Sequence, residues 1–316
     1  MRDRQHDRKN KNKSQGKGPH GDARKDGGQH GGGRKEAGRE KGAPWWRGVR
    51  DTRSKRGHVP PAGDGEEAGG GTAPGDQVVL FGIHPIEAAL ANPKRMMGRL
   101  QLTDNAQRRL APQLEARGVT PQLVAPKDLD RRLGSETVHQ GAMLETQALP
   151  EPTLEELAEA SGQRPLVVLD QVTDPHNVGA ILRSAAVFGA AGLIMTRRHS
   201  PPLDGTLAKS ASGALEHVPI ALVANLARAI EELKELGFLV VGLDGEAEND
   251  LAEIDWAQRV ALVLGAEGKG LRQLTRERCD QLCRISADGA LASLNVSNAA
   301  AVALHFSSFR RGAAKQ

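Results

Sequence analysis

Within the segment DPHNVGAILR, residues 174–183, Asn177 and Arg183 are the polar residues best suited to bind a ligand or to take part in a reaction. Asn177 is placed to cap a helix, and an apolar stripe that starts at Val178 predicts that this helix ends at Gly189. At about 100° per residue, Arg183 points away from the stripe, so its guanidinium is available to a ligand. An ordinary capped helix with a solvated arginine explains the same residues.

Two further segments combine glycines or short polar side chains. LGAEGKGL (264–271) places Glu267 in a glycine-rich loop, where a carboxylate suits a hydroxyl, an amine or a cation better than a pyrophosphate. Neither GxxxxGK[ST] nor GxGxxG occurs in this loop, so it matches no common nucleotide-binding pattern. SLNVSNAAAVALHF (293–306) carries Ser293 and Asn295 just before an alanine-rich helix, whose free amide groups can hold a polar ligand. A tight turn and a heavily capped helix are the plain structural interpretations of the two segments.

The elements that must position these segments alternate between strand and helix after Pro165. Uninterrupted apolar runs, typical of strands covered on both faces, occur at 166–170, 192–196, 218–222, 238–244 and 260–265. Leucines and isoleucines at helical spacing follow Asn225, a predicted N-cap, and stop at Gly237. The pattern predicts a parallel sheet with helices on both faces, in which ligands bind at the carboxyl ends of the strands.

A smaller α/β unit is predicted over residues 77–149. The sequence pattern indicates strands at 78–82, 99–103, 121–125 and 141–145, and helices at 83–92 and 127–133. A further helix, with Leu110 and Leu114 on its apolar side, should kink or restart at Pro112. Residues 150–164 are predicted to be a linker that carries one short helix.

The first 76 residues differ in composition from the rest of the chain. They hold 18 Lys and Arg against 11 Asp and Glu, and 18 of the 37 glycines, but no Leu, Ile or Phe. Such a segment cannot bury enough surface to offset its chain entropy, so residues 1–76 are predicted to be a disordered, basic, glycine-rich extension. The positive charge suits contact with a polyanion, and a solubility tail explains it equally well.

Composition excludes secreted, membrane-spanning and disulfide-stapled proteins. No apolar run reaches the roughly 20 residues that span a bilayer, and the first residues, MRDRQHDRKN, lack the apolar core of a secretion signal. Cys279 and Cys283 cannot staple a chain of this size, and no nearby pair of histidines completes a zinc site. Buried thiols, no metal and a cytoplasmic location are therefore expected.

In this order, and each at the end of a strand, the three segments resemble the motifs of the SpoU/TrmH family of RNA ribose 2′-O-methyltransferases, within the SPOUT superfamily. NVGAILR, LGAEGKGL and SLNVSNAAA carry the resemblance, and the catalytic domain that it implies covers residues 165–312. The implied fold is a Rossmann-like parallel sheet whose C-terminal part is threaded into a trefoil knot. FGIHPIEAAL and HQGAML, within residues 77–149, are similar to the L30e-like RNA substrate-binding domain that precedes the catalytic domain in many members.

The resemblance also implies a cofactor, a partner and roles for individual residues. The cofactor is S-adenosylmethionine, no metal takes part, and the active site lies at the interface of a homodimer that acts on RNA. The family's catalytic positions match Asn177, Arg183, Glu267, Ser293 and Asn295. The positions whose backbone holds the cofactor match Gly265, Ile285 and Leu294.

The role of Arg183 stays open on chemical grounds. Methyl transfer from a sulfonium is an in-line displacement, so the protein has to align the ribose hydroxyl with the methyl group and to activate that hydroxyl. The family's arginine is thought to activate it, yet a guanidinium is almost always protonated and is a poor base. Arg183 can instead hold the adjacent phosphate or stabilise the developing alkoxide.

The order of domains is closest to that of the RlmB-type enzymes, which methylate a guanosine of 23S ribosomal RNA. Within the same class, a transfer-RNA guanosine and a ribosomal-RNA adenosine are the alternative targets. A non-catalytic RNA-binding protein built on the L30e-like domain is a rival hypothesis, which saturable binding of S-adenosylmethionine by residues 165–316 would contradict. A dinucleotide-dependent oxidoreductase is suggested only by the sheet pattern, and the missing glycine fingerprint disfavours it.

Overall fold

The computed structural model describes residues 77–287, 289 and 294–313, with side chains as far as residue 311. The extension over residues 1–76, predicted to be disordered, lies outside the described residues, and so does Ser293. In the described part of the chain, no helix combines the length and the apolar character needed to cross a bilayer.

The N-terminal described region is built around a four-stranded sheet in the order β1–β4–β2–β3. Strand β4 runs antiparallel to both of its neighbours, and β3 runs parallel to β2. The strands are β1 (Gln77–Phe81), β2 (Met97–Leu102), β3 (Gln122–Leu123) and β4 (Ala142–Gln147). The helices are α1 (Ile83–Ala91), α2 (Asp104–Arg117) and α3 (Pro126–Leu133).

Two details of this region bear on the sequence prediction. Helix α2 runs through Pro112 without a restart, and the kink predicted as the alternative stays a prediction. Burial of Leu110 and Leu114 on one side of the helix offsets the backbone hydrogen bond that a proline removes. The strand predicted over 121–125 shortens to the two residues of β3, because both are exposed at the edge of the sheet and bury no side chain.

The C-terminal described region contains a seven-stranded sheet in the order β7–β6–β5–β10–β8–β11–β9, and every neighbouring pair is parallel. The predicted parallel sheet is confirmed. Its strands are β5 (Leu166–Asp170), β6 (Gly192–Thr196), β7 (Ile220–Val223), β8 (Phe238–Leu243), β9 (Asn249–Asp250), β10 (Arg259–Gly265) and β11 (Gln281–Arg284). The helices are α4 (Leu154–Ser161), α5 (Pro175–Phe188), α6 (Gly205–Ser210), α7 (Leu226–Glu235), α8 (Gln273–Arg278) and α9 (Val296–Ala313), with 3-10 turns at Ala214–Glu216 and Leu251–Glu253.

Strands β9 and β11 were not predicted from the sequence. Strand β9 has only two residues, and among the four residues of β11 only Cys283 is buried. Neither segment therefore shows the apolar run by which the other strands of the sheet were predicted.

Alternate side chains of each central strand enter cores on opposite faces of the seven-stranded sheet. In β5, Val167 and Leu169 pack on the side of α5 and α9, whereas Leu166 and Val168 pack on the side of α4 and α7. Helices therefore cover both faces, as predicted. Residues 150–164, predicted as a linker, contribute α4, whose buried leucines are part of the second core, so this segment also belongs to the packed structure.

The four-stranded region packs directly against α6 and the Ala214–Glu216 turn, and the two regions share one apolar core. A buried ion pair crosses this boundary: Arg95 Nη2 lies 2.6 Å from Glu216 Oε1, and each side chain is 2% exposed. Asn92 Nδ2 donates to Glu216 Oε2 at 2.8 Å. A Cβ on Gly213 would lie 2.7 Å from the Ala88 Cβ, so the backbones meet too closely there for a larger residue.

Candidate active site

Helix α5 begins one turn earlier than the capping role predicted for Asn177 requires. Pro175 occupies the first turn, and the side chain of Asp174 caps the helix by accepting a hydrogen bond from the backbone N–H of His176 at 2.9 Å. The capping prediction for Asn177 is therefore wrong, because Asp174 precedes a proline that is well suited to start a helix. Asn177 lies inside the first turn, and its amide is free for contacts with other segments.

Three of the predicted site residues meet at the carboxyl edge of the seven-stranded sheet. Asn177 Nδ2 donates to Glu267 Oε2 at 3.3 Å. Asn295 Nδ2 lies 3.2 Å from Asn177 Oδ1 and 3.1 Å from Glu267 Oε2, so it donates to both. We call Asn177, Glu267 and Asn295 the amide–carboxylate cluster. Each member comes from a different one of the three segments that the sequence singled out.

The glycine-rich loop after β10 presents Glu267 to the cluster. The Gly270 N–H donates to the Ala266 carbonyl at 2.9 Å, which folds the loop back on itself. A Cβ on Gly265 would lie 2.1 Å from the Gly270 carbonyl carbon, and Gly268 adopts a left-handed φ of 77°. The loop therefore needs glycines for its own geometry, and it exposes a carboxylate at the end of a buried strand.

The N-terminus of α9 fixes the orientation of Asn295. Its Oδ1 accepts hydrogen bonds from the Ser297 N–H at 2.8 Å and from Ser297 Oγ at 2.6 Å. Because the oxygen caps the helix, the Nδ2 group of the same amide is left to donate to the cluster. Glu267 receives two amide donors and, as a carboxylate, has further lone pairs that can accept a hydrogen bond from a substrate hydroxyl.

Arg183 lies apart from the cluster within a single chain. It is exposed, and its side chain makes no hydrogen bond or ion pair with any residue that the structure describes. Six helical residues separate it from Asn177, which corresponds to about 9 Å along α5 and about 120° around it. One chain therefore does not bring Arg183 to the other predicted residues.

The three positions predicted to hold a cofactor lie at the same edge of the sheet as the cluster. Gly265 ends β10, Ile285 directly follows β11, and Leu294 precedes Asn295. The backbone polar groups of Ile285 and Leu294 hydrogen-bond to none of the described residues, and the Leu294 side chain is 49% exposed. Backbone donors and acceptors beside apolar side chains suit a ligand with a purine ring, so Ile285 and Leu294, as far as the described residues go, fit an adenosine-containing cofactor.

One charged contact beside the site was not predicted. Asp170, at the end of β5, is fully buried and accepts hydrogen bonds from Arg272 Nε at 2.6 Å and from the Arg272 N–H at 2.9 Å. This contact attaches the far end of the glycine-rich loop to the central strand. The only sequence signal was an aspartate at the end of the apolar run LVVLD.

Both cysteines are free thiols, as predicted. Cys283 is buried and Cys279 is half-buried, and burial raises the pKa of Cys279 to about 12. Among the residues that the structure describes, no group of three or more His, Cys, Asp and Glu side chains is arranged to hold a metal ion.

Comparison with known proteins gives two family matches and several close relatives. The SpoU rRNA methylase family model matches residues 164–305, and the model for RNA 2′-O ribose methyltransferase substrate binding matches residues 79–152. The 23S rRNA (guanosine-2′-O-)-methyltransferase RlmB of Shewanella oneidensis is 41% identical over 235 residues, which is 72% of this chain and 95% of that protein. RlmB of Escherichia coli K12 is 40% identical over 233 residues, with 72% and 96% coverage.

A solved structure is similar over the same region. The SpoU methyltransferase AviRb from Streptomyces viridochromogenes, in complex with the cofactor AdoMet, has a TM-score of 0.63 and 26% identity. The similarity covers 75% of this chain and 91% of AviRb. With the identity to the two RlmB proteins over nearly their whole length, these matches show that the chain belongs to the SpoU rRNA methylase family.

Proposed function

We propose that this protein transfers a methyl group from S-adenosylmethionine to the ribose 2′-oxygen of a guanosine in 23S ribosomal RNA. The observation that carries the proposal is the amide–carboxylate cluster, because it joins three distant segments in one hydrogen-bonded group. The two RlmB relatives are named for this activity, and this chain aligns with at least 95% of each. AviRb, in turn, is described in complex with AdoMet.

The protein's own residues would hold and orient the two reactants. S-adenosylmethionine supplies an electrophilic methyl group. Its sulfonium becomes a neutral thioether when the carbon–sulfur bond breaks and the carbon–oxygen bond forms. The backbone groups of Gly265, Ile285 and Leu294 would hold that cofactor. Glu267 would accept a hydrogen bond from the ribose hydroxyl, and the amides of the cluster would fix the position of its carboxylate. Ser293 is assigned to the same site on its motif position alone.

Arg183 is proposed to act on the same ribose with its positive charge. A guanidinium near the 2′-oxygen would stabilise the alkoxide that develops as the hydroxyl proton passes to the Glu267 carboxylate, or would hold the adjacent phosphate. Replacing Arg183 by lysine keeps the charge and removes the planar fork, so the two roles differ in how much activity lysine restores. Near-normal turnover with both alanine and lysine would remove Arg183 from the mechanism.

A homodimer would bring Arg183 to the cluster. Val187, one turn beyond Arg183 on α5, is 71% exposed, and Phe309 on the neighbouring helix α9 is 64% exposed. Exposed apolar side chains on two helices that pack together suit a protein interface. We therefore propose that two copies pack through the outer surfaces of α5 and α9, and that the partner's Arg183 completes each site.

The strand order supports a trefoil knot. The chain passes from β8 to β9 and back to β10 before it reaches β11, yet β11 lies between β8 and β9. After β11 the chain returns to the centre of the sheet as α9, against α5 and β10. A late strand inserted inside an earlier connection is the arrangement that threading requires, although knots are rare among folds in general.

The remaining assignments follow from the relatives. The substrate-binding match over residues 79–152 supports an L30e-like RNA-binding domain over residues 77–149. A ribosomal RNA substrate in bacterial relatives supports action in the cytoplasm, where the basic extension over residues 1–76 would contact RNA.

Methylation of purified RNA tests the proposed function. The wild-type protein should transfer labelled methyl groups from S-adenosylmethionine to 23S ribosomal RNA, and mapping should place the label on a single guanosine ribose. Glu267→Ala and Asn295→Ala should each lower turnover by at least about 100-fold, which is the scale of a lost positioning group. Glu159→Ala, an exposed glutamate on α4, is the matched control and should keep wild-type turnover. Label on transfer RNA alone would contradict the proposed target.

A further inference from the structure

A cavity of about 330 Å³ opens at the carboxyl ends of β5, β6 and β7. No member of the amide–carboxylate cluster lines it, and no motif of the sequence predicted it. The residues that matter for its chemistry are Gln171 after β5, Arg198 and His199 after β6, Leu226 and Ala227 in the first turn of α7, and Arg272 before α8.

The ionisable side chains that line the cavity are all basic: Arg198, His199 and Arg272. Arg198 and His199 are exposed, and neither side chain has a hydrogen-bond or ion-pair partner among the described residues. Arg272 is held from behind by the buried Asp170, which engages its Nε and leaves its two terminal nitrogens without a described partner. The cavity therefore offers one N–H donor group that is held in position, on Arg272, and two side chains without a described partner, on Arg198 and His199. No acidic side chain lines it.

Backbone donors add to this set. The N–H groups of Leu226 and Ala227 have no partner in the part of the chain that the structure describes, because they belong to the first turn of α7. Asn225 caps this ten-residue helix by accepting from the Arg228 N–H at 3.2 Å, so its side chain does not occupy those two donors. Guanidinium groups and free helix amides together are the donors that phosphate oxygens prefer.

The cavity and the cluster share two loops. The connection between β5 and α5 carries Gln171 on the cavity and leads to Asn177 in the cluster. The connection between β10 and α8 carries Glu267 in the cluster and Arg272 on the cavity. A ligand that presents a sugar hydroxyl to one site and an anion to the other would engage both, and an RNA strand has this chemistry.

We infer that this cavity binds a backbone phosphate of the RNA strand near the nucleotide whose ribose reaches the amide–carboxylate cluster. The inference rests on the proposed function, since it places the substrate of the same reaction. Arg198 supplies the positive charge that neutralises the phosphate, while the terminal nitrogens of Arg272, whose charge is paired with Asp170, and the imidazole of His199 donate hydrogen bonds. This assigns a role in substrate binding to a loop that carries none of the three motifs.

RNA binding by the full chain at several salt concentrations tests the inference. The double variant R198A/H199A should bind a 23S ribosomal RNA transcript about 10-fold more weakly at 0.1 M salt. The slope of log K against log salt should fall by about 0.7 to 0.9 for each lost phosphate contact. Affinity for S-adenosylmethionine should stay at the wild-type value. Arg164→Ala is the matched control, because Arg164 directly precedes the Pro165–β5 segment at the opposite, amino-terminal edge of the sheet.

The outcomes separate this inference from the proposed function. Wild-type RNA affinity and salt slope in R198A/H199A would overturn the phosphate site, as would an equal loss in Arg164→Ala. Saturable binding of inorganic phosphate or guanosine monophosphate that the double variant loses, without any change in RNA binding, would overturn the RNA assignment. A wild-type protein that shows the Arg198-dependent slope but transfers no methyl group would support the phosphate site and contradict the proposed function.

Discussion

Gly265 and Gly268 lie in the same loop but require glycine for different reasons. At Gly265 a Cβ would lie 2.1 Å from a backbone carbon of Gly270, whereas at Gly268 it would meet no atom within 4 Å and only the left-handed φ disfavours a side chain. The first glycine therefore determines whether the loop can fold back and present Glu267. The second affects only local backbone energy.

This difference predicts unequal effects of alanine on stability. Gly265→Ala should lower the free energy of unfolding by about 3 kcal/mol, the upper range for overpacking, and should abolish methyl transfer because Glu267 is displaced. Gly268→Ala should lower it by about 1 kcal/mol, which is the cost of a left-handed residue. Urea denaturation of both variants measures the two values, and equal losses would show that the clash at Gly265 costs no more than the left-handed φ at Gly268.

The raised pKa of Cys279 predicts slow thiol chemistry. With a pKa of about 12, this side chain is almost entirely protonated at pH 8, and only the thiolate reacts with disulfide reagents. In the native protein we expect neither cysteine to react with a chromogenic disulfide within minutes, while urea should release two reactive thiols per chain. Rapid modification of Cys279 in the native state would contradict the raised pKa of this thiol.

At the scale of elements, the boundary between the two sheets depends on a buried ion pair as well as on apolar contact. Arg95 lies between α1 and β2, and Glu216 belongs to the 3-10 turn after α6. Removal of one partner leaves a charge buried without compensation, which is far more costly than the loss of an exposed pair. The contrast with the exposed pair Arg131–Asp128 makes this measurable.

Glu216→Ala should therefore lower the free energy of unfolding by about 3 kcal/mol, because Arg95 remains buried without its carboxylate. Arg131→Ala, in which the arginine side chain is 77% exposed, should change it by less than about 0.5 kcal/mol. The double variant R95A/E216A should be less destabilised than the sum of its single variants. Strict additivity of the two single changes would show that the pair is not coupled.

At the scale of the whole molecule, the separation of Arg183 from the cluster within one chain raises the question of whether the active site needs two chains. If the partner's Arg183 completes the site, a dimer in which one chain carries Arg183→Ala and the other Glu267→Ala keeps one intact site. Such a heterodimer, isolated through two different affinity tags, should have about half of the wild-type activity. Each variant homodimer should be nearly inactive. An inactive heterodimer would show that Arg183 acts within its own chain or that the chains do not pair in this way.

Much of the fold could be predicted because local sequence patterns specify most of its strands and helices. Apolar runs identified β5, β6, β7, β8 and β10 of the parallel sheet, and Asn225 and Gly237 marked the ends of one helix. Strand β11 could not be predicted, because it is held by its neighbours rather than by an apolar run of its own. The helix of residues 150–164 was predicted, but its packing against the sheet was not, since eight residues do not reveal what their apolar side contacts.

The candidate site was also predictable in part from the sequence and in part only from the tertiary structure. Residue types and spacing singled out the three segments that carry Asn177, Glu267 and Asn295, because short polar groups and glycines are conspicuous at the ends of apolar runs. The roles of these residues were predicted from the resemblance of the segments to the SpoU/TrmH motifs. The tertiary structure decided that these three meet, that Arg183 does not join them within one chain, and that Arg198 lines a separate basic cavity. Contacts between residues 90 or 118 positions apart depend on the order of strands in the sheet, and no local pattern encodes that order.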